Sequence, residues 1–197
     1  MEAILDINYY EYHNLVRKSE LIRSIVKTIS KFEDNDLYLS GGFLRNAAWN
    51  RLHFREDFLH TEDCDIIYHS KTIDRNYEKG IETFLKSISP YFNWSVKNQA
   101  RMHLINKHKS YENLTRALEC FPETASAVAI NGNWNIIAPF GFQDILSLTL
   151  RPTPFCLDNE IEVFKRRIEF KRWLSNFGNL KAIQHTTLGF VQEEQTY

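Results

Sequence analysis

Two aspartates separated by one residue are the part of this sequence best suited to metal chemistry. Asp63 and Asp65 open a short strand-like run, and side chains two positions apart on a strand point to the same face. Two carboxylates held that close repel one another unless a cation lies between them. Mg²⁺ favours such hard oxygen ligands and completes its shell with water and phosphate. The pair therefore predicts a divalent metal site, although most isolated Asp-x-Asp sequences are surface acids or helix caps.

Adjacent glycines precede the aspartates by about twenty residues. The chain has only seven glycines in 197 residues, about half the average usage. Gly41 and Gly42 follow a predicted strand and precede a predicted helix, so backbone N–H groups and the positive helix end would lie beside a bound phosphate. Alone, such a pair is more often a simple turn. Together with the two aspartates it indicates a site for a nucleoside triphosphate and Mg²⁺.

Basic and amide side chains near these motifs are candidate ligands for the nucleotide. Arg45 lies one turn into the helix after the glycines, within reach of a phosphate oxygen or of an aspartate. Lys97 and Arg101 would hold phosphates, and Asn98 or Gln99 would recognise a base or ribose. The alternative is that this polar segment is the solvated face of an edge strand.

The hydrophobic pattern predicts the elements that would position these residues. Helices alternate with short strands, which is typical of an α/β (α+β) fold with a mixed sheet covered by helices. The last predicted helix begins at Asp158 as its cap, and the first is capped by Ser19. In chain order we expect a helix at 21–29, a strand at 36–40, a helix at 43–52, strands at 64–68 and 93–98 flanking a helix at 77–88, a helix at 114–121, a hairpin of strands 128–130 and 134–137, and a helix at 159–174.

Composition and charge exclude several classes of protein. Lys and Arg number 24 against 25 Asp and Glu, so there is no overall field to attract nucleic acid or a membrane surface. Three cysteines lack metal-ligand spacing and are expected to be reduced and buried. The start is acidic without a long apolar run, and no membrane span is indicated. We therefore expect a cytoplasmic protein without a membrane partner.

The length fits one domain. We expect a single unit over 1–197, with an N-terminal helical segment at 1–35, a core at 36–150, and a C-terminal helix and tail at 151–197. The last six residues, 192–197, are interpreted as a frayed end.

Several segments together resemble a known family. Gly41-Gly42-Phe43-Leu44-Arg45-Asn46 followed by Asp63-Cys64-Asp65-Ile66-Ile67 resembles the head motif of polymerase-β-type nucleotidyltransferases, in the version found in CCA-adding and poly(A) polymerases. Residues 94–103, 122–125, 138–141 and 151–152 are similar to segments of a small bacterial nucleotidyltransferase family. The resemblance extends over about 37–173, most of the chain.

This resemblance implies a polymerase-β-like nucleotidyltransferase core and a reaction. A nucleoside monophosphate would pass from a nucleoside triphosphate to an unidentified acceptor, with in-line attack assisted by Mg²⁺ or Mn²⁺. Asp63 and Asp65 would be the catalytic residues and bind two metal ions. The implied nucleotide- and phosphate-binding residues are Gly41, Gly42, Arg45, Asn46, Lys97, Asn98 and Arg101.

The sequence departs from the family pattern at the third carboxylate that such sites carry on a later strand. The predicted strand at 93–98 offers Lys97 and Asn98 but no acid. Asn98 can ligate a metal through its carbonyl oxygen but cannot accept a proton. Asp144 is a more distant candidate for the third ligand, and Glu123 is weaker because it follows a predicted helix exit.

Two alternatives follow from this departure and from the basic residues of the last helix. Without a third acid, the chain would bind nucleotide or regulate a partner without turnover. Lys165, Arg166 and Arg167 are most simply a solvated helix face, but they would also suit an RNA-directed nucleotidyltransferase. Nucleic acid is not the favoured partner, because the net charge is near zero.

Overall fold

The computed structural model describes residues 2–32, 36–56, 63–185 and 192–195. Within these ranges helices cover a mixed five-stranded sheet, which confirms the predicted fold class, and three further strands form a smaller sheet. The helices are α1 (Glu2–Arg17), α2 (Glu20–Ile29), α3 (Gly42–Leu52), α4 (Arg75–Ile88), α5 (Gln99–Asn106), α6 (Leu114–Glu119), α7 (Gln143–Leu146), α8 (Pro154–Asn159), α9 (Ile161–Lys171) and α10 (Trp173–Asn176). The strands are β1 (Tyr38–Ser40), β2 (Cys64–Tyr68), β3 (Trp94–Asn98), β4 (Ala129–Asn131), β5 (Ile136–Ile137), β6 (Thr149–Leu150), β7 (Lys181–His185) and β8 (Gln192–Gln195).

The larger sheet has the strand order β3-β2-β1-β4-β5. β2 and β3 run parallel, with Asp65 opposite Ser95 and Ile67 opposite Lys97. The other neighbours are antiparallel. Because side chains alternate along a strand, Asp65, Ile67 and Lys97 all belong to one face of the sheet.

The opposite face of the sheet carries the main hydrophobic core. Cys64 and Ile66 of β2 are fully buried there among side chains of α1, α2, α3 and α4. The apolar stripe of α2 supplies Ile22 and Ile25 to this core, as its spacing predicts. Ser19 caps α2 by accepting a hydrogen bond from the backbone N–H of Ile22 at 3.1 Å, which confirms the predicted cap.

The face that carries Asp65 is only partly covered. α6 packs Leu114 and Leu118 against Ile67 and Ala129 in a second, smaller hydrophobic cluster. The rest of this face borders a cleft.

The predicted helix at 159–174 is confirmed over α9 (Ile161–Lys171) but not at its ends, where residue 159 belongs to α8 and residues 173–174 to α10. Thr153 caps α8 by accepting from the backbone N–H of Cys156, and Pro154 occupies the first helical turn. Asp158 therefore lies inside α8 and caps nothing. α9 ends because Arg172 adopts a left-handed conformation with φ of 49°, after which α10 begins.

Two further elements differ from the sequence prediction. α5 follows β3 directly, because Asn98 ends the strand and caps the helix by accepting from the backbone N–H of Ala100. At the C-terminus, β8 pairs antiparallel with β7, so the prediction of a frayed end is wrong for residues 192–195. The remaining residues of that prediction lie outside the described part of the chain.

None of the described helices is both long and apolar enough to span a membrane.

Candidate functional site

A cleft of about 390 Å³ opens beside the partly covered face of the sheet. Gly41, Gly42, Asp65 and Lys97 line one side of it. The structure thus brings the glycine pair, one aspartate and one predicted phosphate ligand together from three separate segments of the sequence.

The corner between β1 and α3 requires glycine because of its backbone conformation. Gly41 has φ of 72° and ψ of −134°, a region that L side chains rarely adopt. A Cβ at this position would lie 3.9 Å from Phe121 Cε2, an ordinary contact, so space is not the reason. Gly42 is the first residue of α3. The positive end of that helix therefore lies at the cleft, where an anion would be stabilised.

The two aspartates have different surroundings. Asp65 lines the cleft, and its Oδ1 lies 3.1 Å from Lys97 Nζ on the neighbouring strand. Asp63 lies just before β2 and is exposed, and its Oδ1 accepts a hydrogen bond from Asn93 Nδ2 at 2.5 Å. Asp65 thus contacts Lys97 within β3, and Asp63 contacts Asn93 just before β3.

Arg45 and Asn46 lie behind the cleft wall. The Arg45 guanidinium is buried between Trp49 and Trp173, with its Cζ 5.0 and 4.3 Å from their ring centroids. It donates to Ser126 Oγ at 2.7 Å and twice to Asn46 Oδ1. Since Ser126 lines the cleft, Arg45 positions part of the wall.

The other predicted ligands have structural partners. Asn98 is fully buried and uses its amide to bind the backbone of Ser70, Thr72 and Ala100. Arg101 donates to both carboxylate oxygens of Glu78. Asp144 accepts hydrogen bonds from Thr124 Oγ1 at 2.7 Å and from Arg151 Nε at 3.0 Å. Among the described residues, the cleft lining does not include Arg45, Asn46, Asp63, Asn98, Arg101 or Asp144.

Glu123 and Arg167 form an ion pair in the cleft wall that the sequence pattern does not reveal. Arg167 Nε lies 2.5 Å from Glu123 Oε1, and the Glu123 side chain has no solvent exposure. Arg167 therefore faces the cleft instead of lying with Lys165 and Arg166 on a solvated helix face. The sequence shows Glu123 only as an acidic residue. Its pairing with Arg167 leaves no local periodicity, because the two residues are 44 positions apart.

A chain of three hydrogen-bonded side chains also lines the cleft. His108 Nδ1 lies 2.5 Å from the Tyr111 hydroxyl, and His108 Nε2 lies 2.8 Å from Glu160 Oε1. Because a carboxylate only accepts, His108 Nε2 is the donor to Glu160 Oε1. Burial raises the pKa of Tyr111. The sequence gives no local signal for this chain of contacts, because the partners of His108 lie three and 52 residues away.

The two aspartates supply part of a ligand set for a hard divalent cation. Asp63 and Asp65 offer carboxylate oxygens, as Mg²⁺ and Mn²⁺ prefer. Within the described ranges no group of three or more His, Cys, Asp or Glu side chains could hold a metal ion. The protein thus provides two carboxylates, and a metal bound there would take its other ligands from water or substrate phosphates.

Comparison with known proteins gives consistent matches. Residues 27–182 match a family model described as Nucleotidyltransferase. A protein whose NMR structure reveals a CCA-adding enzyme head domain is 30% identical, with a TM-score of 0.76; the match covers 89% of this chain and 96% of that one. No curated protein matches this chain.

More distant structures share the fold. The Thermotoga maritima CCA-adding enzyme complexed with tRNA is 15% identical with a TM-score of 0.57, covering 88% of this chain and 42% of that one. The Bacillus stearothermophilus CCA-adding enzyme in complex with CTP is 18% identical with a TM-score of 0.52, covering 81% and 40%. This chain thus spans about two fifths of those two enzymes.

Proposed function

This chain belongs to the nucleotidyltransferase family, and we propose that it transfers a nucleoside monophosphate from a nucleoside triphosphate to an acceptor hydroxyl, with Mg²⁺ or Mn²⁺ as cofactor. The observation that carries the proposal is that Gly41, Gly42 and Asp65 line one cleft. The proposal takes the Gly41-Gly42 corner as the phosphate-binding part of this cleft and Asp65 as a carboxylate for the metal.

The proposed roles are divided among residues that line the cleft and Asp63, which lies just before β2 and outside the lining. The first turn of α3 after Gly41 would bind the triphosphate through backbone N–H groups. Asp63 and Asp65 would hold the metal, which when bound neutralises charge on the reacting phosphate and the leaving pyrophosphate. Lys97 would contact a phosphate oxygen. Such a transfer depends mainly on positioning and charge stabilisation, so few other groups are needed.

The test is pyrophosphate release with each of the four nucleoside triphosphates over a panel of small-molecule and RNA acceptors. Asp63→Asn together with Asp65→Asn should lower the rate by about a hundredfold or more. The matched control is Asp158→Asn, an exposed aspartate of α8 outside the cleft lining, which should leave the rate unchanged. Equal rates in the double variant and the unaltered protein would rule out these roles.

A protein that binds nucleotide without turnover is the second candidate. It is favoured by the donor set, which within the described residues has no third acid grouped with Asp63 and Asp65. Calorimetry separates the two candidates. Mg²⁺-dependent triphosphate binding without pyrophosphate release from any acceptor would support the silent protein.

RNA as the acceptor remains a third interpretation. Its support is the fold shared with the head domain of CCA-adding enzymes. Gel shifts at low salt, where phosphate contacts are strongest, provide the test. Absence of RNA binding there would eliminate it.

A further inference from the structure

We propose that the protein has a second ligand site, a cavity on the core face of the sheet that binds a small alkylammonium ion. This second cavity has a volume of about 390 Å³, which is within the range of sites that take small molecules. Among the described residues, its lining and the lining of the cleft have no member in common.

Strand alternation places the second cavity on the other side of the sheet from the cleft. Tyr68, at the end of β2, lines the second cavity and belongs to the same hydrophobic core as Cys64 and Ile66. Asp65 lines the cleft. Because successive side chains of a strand point to opposite faces, the sheet separates a ligand beside Tyr68 from one beside Asp65. An ion bound in the second cavity is therefore not the acceptor for a reaction at Asp65.

Aromatic rings and carboxylates give the second cavity its chemical character. Phe32, Tyr68 and Tyr77 line it, and the rings of Tyr68 and Tyr77 meet edge to face with their centroids 6.0 Å apart. Asp36 and Asp74 also line it, and no lysine or arginine is among the described residues of the lining. Aromatic faces attract a cation through the ring quadrupole, and the carboxylates attract it by charge. This lining therefore favours a positively charged ligand with an apolar body.

The hydroxyl of Tyr68 indicates that the cation carries an N–H group. Tyr68 is 5% exposed, and within the described part of the chain its hydroxyl has no hydrogen-bond partner. Burial raises the pKa of Tyr68 to about 12, so the phenol stays protonated and its oxygen is free to accept. Leaving a buried hydroxyl without a partner is costly, and an ammonium N–H donating to the oxygen would remove that cost.

Hydrogen bonds within the protein hold the wall of the second cavity in place. Asn98 Nδ2 donates to the carbonyl oxygens of Ser70 and Thr72, both in the lining, at 2.8 and 3.2 Å. Asp74 caps α4, because its Oδ1 accepts from the backbone N–H of Asn76 at 2.8 Å. A ligand would therefore meet a preformed wall and would not have to order this part of the chain on binding.

The experiment titrates n-butylammonium chloride into the protein at constant ionic strength and follows binding by ligand-observed NMR, with n-butanol as the neutral analogue. The unaltered protein should bind n-butylammonium at least about tenfold more tightly than n-butanol. Asp74→Asn removes a charge but keeps a good helix cap, and it should weaken n-butylammonium binding about two- to fivefold. Asp158→Asn is the matched control, an exposed aspartate outside both linings, and should change nothing.

Tyr68→Phe separates a binding role of the hydroxyl from a structural one. It should weaken n-butylammonium binding about three- to tenfold without lowering the thermal unfolding temperature, because the hydroxyl that it removes has no partner in the protein without ligand. A destabilised Tyr68→Phe protein that binds the ion as before would contradict the inference.

Two other results would overturn it. One is absence of n-butylammonium binding, or equal affinity for n-butylammonium and n-butanol. The other is loss of binding in Asp65→Asn but not in Asp74→Asn, which would place the ion in the cleft instead of the second cavity.

Discussion

Arg167 of α9 pairs with Glu123 across the wall of the cleft, with Nε 2.5 Å from Oε1. Glu123 is fully buried, whereas Arg167 is 37% exposed. Arg167 stabilises this buried carboxylate, because an unpaired buried ion carries a large desolvation cost.

Removing the guanidinium should therefore destabilise the protein. We expect Arg167→Met to lower the free energy of unfolding by about 2 kcal/mol, below the cost of breaking a fully buried pair because Arg167 is partly solvated. Urea unfolding measures the change. Arg166→Met is the control, since Arg166 is exposed on the same helix, and it should stay within about 0.5 kcal/mol of the unaltered protein. Equal losses in both variants would mean that the pair contributes nothing specific.

Gly41 should tolerate no side chain. Because its φ is 72° and its ψ is −134°, Gly41→Ala is expected to cost about 1–3 kcal/mol in backbone strain and to weaken tripolyphosphate binding. Gly80→Ala is the matched comparison. Gly80 lies inside α4, where an added Cβ meets nothing within 4 Å, so alanine should stabilise the protein by about 0.5–1 kcal/mol. Thermal unfolding and calorimetry test both, and a Gly41→Ala protein as stable as the Gly80→Ala protein would contradict the assignment.

Asn98 should be intolerant of a carboxylate. Its Nδ2 donates to the carbonyl oxygens of Ser70 and Thr72 at 2.8 and 3.2 Å. Asn98→Asp would replace this donor with an oxygen facing two carbonyl oxygens in a buried site, and we expect a loss of about 3 kcal/mol near neutral pH.

The pH dependence of this variant has a definite sign. Burial against carbonyl groups raises the pKa of the new carboxyl in the folded state, so stability is retained at low pH and lost as the pH rises through that pKa. Urea unfolding at about pH 4.5 and about pH 7.5 measures this, with Asn76→Asp on the exposed first turn of α4 as control. Stronger Mn²⁺ binding by Asn98→Asp without loss of stability would favour the metal-ligand role predicted from the sequence.

The three cysteine thiols should react slowly in the folded protein. All three are buried, and burial raises the pKa of Cys156 to about 11. Burial, and then the nearby Asp65 carboxylate, raise the pKa of Cys64 well above its usual value. Because only the thiolate reacts, labelling of Cys156 with a disulfide reagent at about pH 8 should be about a hundredfold slower than for an ordinary exposed thiol. The control is the same reaction in concentrated guanidinium chloride, and one rapidly labelled thiol in the native protein would contradict this.

Locally encoded features were predictable from the sequence. The apolar stripe of α2 and its Ser19 cap are set by residues within one or two turns of each other, and β2 lies where its strand-forming residues predict it. The α8–α9 break was missed because it depends on Thr153 and Pro154 starting an earlier helix. β8 was missed because its polar residues are ordered by pairing with β7, not by their own pattern.

For the candidate site, the sequence alone indicated the residues proposed for the chemistry: a glycine pair between a strand and a helix, and two aspartates at the start of the next strand. Only the tertiary structure decided their partners. In the folded chain, Arg45 donates a buried hydrogen bond to Ser126. Arg167 forms an ion pair with Glu123, and Lys97 forms one with Asp65. The physical reason is that backbone conformation and strand alternation depend on neighbours in the chain. The partner of a charged side chain instead depends on which distant segments share a face and how far water is excluded between them.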